Sequence, residues 1–145
     1  MINYDKTLKL FFDEILKYLD KRAKTAKDTS IRDSVLHSIN VVRTVAENPM
    51  RYADYDVRVK AGLERNVVEG FMAGTRDNSV YLLYNRVLWV MGDLKSEFEW
   101  VRSDAQNVLL GAVRQMKYKN ATNLFKDFYF PFLSKEKFAV REKTK

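Results

Sequence analysis

Residues 80–112 read VYLLYNRVLWVMGDLKSEFEWVRSDAQNVLLGA, and the spacing of their apolar positions decides the fold. Val80, Tyr84, Val87, Met91, Leu94, Phe98, Val101, Ala105, Val108 and Ala112 follow one another in alternating steps of four and three. Steps of that kind keep one face of a helix apolar turn after turn, so the stretch reads as a sustained helical seam that must be buried. Taken as one element near residues 80–118, it would be a helix of about 38 residues and about 57 Å long, well beyond the width of a small domain. Gly92-Asp93 and the capping-box-like Ser103-Asp104-Ala105-Gln106 lie inside the pattern, so a kink or interruption is expected near Gly92 or Ser103. Trp89 is out of phase with the seam, and a second buried face would account for it.

The segments before it carry the same periodicity. A first helix is expected over 5–26, with Leu8, Phe12, Ile15 and Leu19 as its stripe, Phe11 and Tyr18 widening it, and Asp5 as N-cap. A connector at 27–30 follows, with Ser30 and Asp33 arranged like a capping box. The second helix carries Ile31, Val35, Ile39, Val42, Val45 and Ala46, and stops at Asn48-Pro49, because a residue before proline avoids the α region. A third helix is expected from Asp54, as cap, to about Ala73, with Val59, Leu63, Val67 and Phe71 inward and Gly74 at the C′ position. After the long element, Thr122 to Phe130 reads as a short aromatic helix ended by Pro131. The sum is an all-α bundle of five to six helices in a single domain spanning 1–145, with a basic, aromatic C-terminal segment at about 120–145.

Composition narrows the chemistry. The chain of 145 residues has no Cys, which removes disulfides, thiolate metal sites and cysteine nucleophiles. Its one histidine, His37, stands off the apolar stripe of its helix, and the Glu-x-x-His repeats of helical di-iron bundles are missing. No Gly-Lys-Ser/Thr occurs, so the phosphate-cradling loop of P-loop enzymes is absent. Asp93 and Glu97 are spaced to share a helix face, and Asp13 and Glu14 sit among lysines, but both spacings are ordinary on solvated helices. No catalytic residue, metal site or cofactor is therefore expected, and the protein reads as non-enzymatic. No apolar stretch approaches the roughly 18 residues of a membrane span, and the N-terminus lacks a signal-peptide pattern, so a cytoplasmic, non-membrane protein is expected.

Charge points to binding instead. Lys and Arg outnumber Asp and Glu by 9 to 7 in residues 1–50 and by 10 to 4 in residues 101–145, but fall short at 7 to 8 in between. Most of the net +7 thus sits in the last third. Arg114, Lys117, Tyr118, Lys119, Asn120 and Lys126 supply cations for phosphates with amides and an aromatic for bases, which is the composition of a DNA or RNA contact. Cations near a helix C-terminus are also favoured by the macrodipole alone. Phe125, Phe128, Tyr129, Phe130, Phe132 and Phe138 crowd into 14 positions of the same third, and Phe128, Tyr129 and Phe132 are candidate anchors for a protein partner. Two functions remain: a nucleic-acid-associated protein acting through its basic third, or an adaptor, inhibitor or assembly component docking through its aromatic segment. A long helix with two apolar faces further suggests self-association as a symmetric dimer.

Overall fold

The computed structural model describes residues 4–63, 67–76 and 79–118. These form six α-helices and one 3-10 turn, with no strand among the described residues. The order is α1 (Tyr4–Thr25), α2 (Thr29–Glu47), the turn Pro49–Ala53, α3 (Tyr55–Lys60), α4 (Val67–Met72), α5 (Ser79–Leu94) and α6 (Glu99–Tyr118). The expected aromatic helix at 122–130 lies outside the described residues.

The α1 and α2 stripes are buried as their spacing requires: Leu8, Phe11, Phe12, Ile15 and Leu19 face Val35, Ile39, Val42 and Val45. Two caps differ from expectation. α1 already includes Asp5, whose carboxylate instead accepts the Met50 amide at 3.0 Å and ties the start of the chain to the 3-10 turn. α2 is capped by Asp28, not Ser30, because the Asp28 carboxylate accepts the amides of Ser30 at 2.8 Å and Ile31 at 3.4 Å. The stop at Asn48-Pro49 and the Asp54 cap, which accepts the Asp56 amide at 2.8 Å, both stand.

The expected third helix is two helices. α3 ends in a Schellman motif: the Gly62 amide donates to Val59 at 2.9 Å and the Leu63 amide to Arg58 at 3.0 Å, with Gly62 at φ +74°. Leu63 turns inward as that motif's apolar contact, while Val59 is exposed rather than core. α4 then crosses α2 at very short range. A Cβ on Gly70 would overlap the buried Ser38 hydroxyl and the Ser34 carbonyl, so only glycine admits the approach. Gly74, at φ +74°, ends α4 as expected, and Arg22 of α1 donates to the carbonyl of Ala73 beside it.

The long element is also divided. α5 stops at Leu94 and α6 begins at Glu99, so the break falls at 95–98, neither at Gly92 nor at Ser103. Local hydrogen bonds make it: the Phe98 amide donates to the Ser96 hydroxyl at 3.1 Å, and Arg102 reaches back to the Ser96 carbonyl at 2.6 Å. Such bonds offer the backbone partners that a continuing helix would have used. α6 folds back onto α5. The seam is buried at Val80, Tyr84, Val87, Met91 and Leu94, fails at Phe98, which is 56% exposed, and resumes at Ala105.

α5 is the axis of the core. Tyr84 meets Phe12 of α1 edge-on at 6.3 Å and Phe71 of α4 at 5.1 Å, and Phe71 also meets Tyr81 at 5.7 Å. The 3-10 turn packs on both α1 and α5.

Two substitutions separate these features. Gly70→Ala should lower unfolding stability in urea by about 1–3 kcal/mol, because the Ser34 carbonyl cannot give way. Phe98→Ala should cost less than about 1 kcal/mol, against about 2–5 kcal/mol for Met91→Ala, one heptad earlier on the same seam.

Candidate interaction surface

Nearly every side of α5 is covered: Leu83, Tyr84, Val87, Leu88, Val90 and Met91 are all buried. Trp89 is the exception, 41% exposed, so no second buried face covers it. One turn earlier, Arg86 is only 6% exposed, and its guanidinium carbon lies 4.2 Å from the centre of the Trp89 ring. An arginine held over an indole is attracted by the electrons of the ring face and fixes the ring's orientation. Trp89 is therefore a large apolar plate, open to solvent and steadied from beneath.

A second pair of the same kind lies at the start of α3. Arg58 of α3 is buried and donates to the carbonyls of Tyr52 at 2.7 Å and Ala53 at 3.2 Å, which anchors its guanidinium to the 3-10 turn. It also lies 5.8 Å from the ring centre of Tyr55, at 62% the most exposed large apolar residue among the described residues. Arg51 lies 5.7 Å over Tyr52 in the same turn. The two plates are linked through Gly92, one turn after Trp89: a Cβ there would sit 4.0 Å from the Ala53 carbonyl, so α5 and the turn meet backbone to backbone. The corner thus joins three arginine–aromatic pairs within a few residues of one helix–turn contact.

Its charge is mixed. Asp54 and Asp56 are exposed at the start of α3, and Asp93 is half-buried beside Gly92, so the arginines do not create a uniformly positive field. Further along, Phe98, Trp100 and Leu110 are exposed at the α5–α6 break and on α6.

Of the residues singled out in the sequence, Arg114, Lys117 and Tyr118 fall in the last turns of α6. Lys119, Asn120, Lys126, Phe128, Tyr129 and Phe132 lie outside the described residues. His37 is exposed on α2. Asp93 closes α5 and Glu97 sits in the break, so the shared face expected of one continuous helix does not exist. Glu14 pairs with Lys17 at 3.1 Å on the surface of α1. No group of three or more His, Cys, Asp or Glu capable of holding a metal ion occurs among the described residues, and no helix there is long and apolar enough to cross a membrane. The corner itself was missed in the sequence. Its signal was the pairing of Tyr55 with Arg58 and of Arg86 with Trp89, each three apart, the separation at which helical side chains are neighbours.

No protein-family model, curated protein or solved structure matches the chain.

Trp89 and Trp100 are the two indoles of the chain. In a Trp100→Phe variant, Trp89 emission should be quenched by acrylamide in the native state nearly as strongly as in urea. Emission protected from the quencher would contradict an open face at Trp89.

Proposed function

We propose that the chain is a non-enzymatic binding protein that docks a protein partner on the corner formed by the 3-10 turn, α3 and α5. The observation that carries this reading is the exposure of Trp89 and Tyr55, each backed by a buried arginine, on a bundle whose other large side chains are mostly enclosed. Trp, Tyr and Arg are the residue types in which binding energy concentrates at protein interfaces. Holding the rings in place beforehand reduces the entropy lost on docking. The mixed charge of Asp54, Asp56 and Asp93 among the arginines suits a protein surface better than a phosphate backbone. The aromatic residues Phe128, Tyr129 and Phe132 extend this reading as further anchors for the same class of partner.

Association between tagged chain and proteins of its native host should drop at least about tenfold in Trp89→Ala with Tyr55→Ala, with unchanged circular dichroism. A partner retained equally by both proteins would show that the corner does not dock it.

The segregation of charge favours a second reading. With 10 cations against 4 acids in residues 101–145, the last third has the composition to bind nucleic acid through Arg114, Lys117, Tyr118, Lys119, Asn120 and Lys126. Binding of that kind should weaken steeply between about 50 and 200 mM salt. A gel-shift titration at low salt checks it, and the absence of any shifted DNA or RNA at micromolar protein would end the idea.

A further inference from the structure

α6 has two dissimilar sides. The side turned to α5, its main support, carries buried Ala105 and Leu109, with Val101 and Val108 half-buried beside them. The opposite stripe carries exposed Trp100, Asn107 and Leu110, in steps of seven and three that keep them on one face, and position 114 continues it by four. Charge is divided along the same helix. At its start Glu97, Glu99 and Asp104 outnumber Lys95 and Arg102, while Arg114 and Lys117 occupy register positions near its end.

We propose that this stripe is the interface with a second copy of the chain, the two α6 helices lying antiparallel about a two-fold axis near Asn107. A two-fold contact requires one patch to complement itself. Antiparallel pairing meets that condition here, because it sets the acidic start of each α6 against the basic end of the other. Parallel pairing would stack like charges on both ends and is disfavoured. At the axis the two Asn107 amides face each other, and each amide has both donors and an acceptor to offer its mate. Trp100 and Leu110 from both copies flank them, so each half of the interface contains an aromatic anchor next to an aliphatic residue. This contact is separate from the Trp89–Tyr55 corner, and either can hold without the other.

The test is the molar mass of the full chain in solution, by sedimentation or light scattering. The expected mass is that of two chains, with association weakening as salt rises. Leu110→Asp should give single chains with unchanged circular dichroism. Reversal of one end, as Glu97→Lys with Glu99→Lys or as Arg114→Glu with Lys117→Glu, should weaken association at least about tenfold, and all four changes in one chain should restore it. A single-chain mass for the unaltered protein through the high micromolar range overturns the proposal and assigns the stripe to another cover, residues 119–145 of the same chain included. Dimers indifferent to the single-end reversals, or not restored by the fourfold change, overturn the antiparallel arrangement. Should Leu110→Asp lose helicity, the charge reversals decide, since they leave the apolar side of α6 intact.

Discussion

The contact of Tyr84 with Phe12 and Phe71 holds the described part of the chain together. It joins α1 to α4 and α5, which lie far from it in sequence, and it does so with three large rings that are almost wholly buried. Burying each such side chain contributes roughly 1.5–3 kcal/mol, and the edge-on contact with Phe12 adds to that. Everything around it follows from the need to enclose α5. α1 brings α2, the 3-10 turn closes one flank through α5 and α1, and the close crossing at Gly70 lets α4 place Phe71 on Tyr84. The side of α5 left over is narrow, and Trp89 stands on it.

Periodicity revealed which residues go inside, because a helix places every third or fourth side chain on one face whatever follows. Leu8 to Leu19, Val35 to Val45 and Val80 to Leu94 were legible for that reason. Where helices end is a different physical question, settled by bonds over three to six residues. Asn48-Pro49 and Gly74 were readable because proline and glycine act locally and without a partner. Gly62 was passed over because Leu63 and Phe71 keep the helical spacing across it, and a Schellman turn can preserve that spacing while breaking the helix. The break at 95–98 was hidden in the same way: Phe98 continues the numerical pattern, yet the Ser96 hydroxyl and Arg102 take the hydrogen bonds that would have continued the helix.

The candidate surface was legible in its pairs but not in its exposure. Tyr55 with Arg58 and Arg86 with Trp89 have the separation at which an arginine reaches a ring on the same helix. Whether such a ring is core or surface depends on which faces other helices occupy, and that is decided by residues tens of positions away. Trp89 shows the point: being out of phase with the seam, it would be buried if a second face were covered, and the bundle covers none there. Arg58 and Arg86 would have been read as surface cations, whereas the fold buries their stems and leaves the rings outside.

These placements change how the net charge of +7 should be understood. A basic protein invites a polyanion, but charge acts where it is exposed and unopposed. In the described body, the arginines at the corner stand close to Asp54, Asp56 and Asp93, whose carboxylates offset their charge, so the field there is mixed rather than suited to a phosphate backbone. The surplus belongs to the last third, beyond the aromatic corner. The break at 95–98 makes that division matter, because it turns α6 back along α5 and gives the second half of the seam its own outer face. The acidic start and basic end of α6 lie roughly 20–30 Å apart along its axis, too far to meet within one copy. A separate α6, supported on one side, offers both ends to the same antiparallel neighbour.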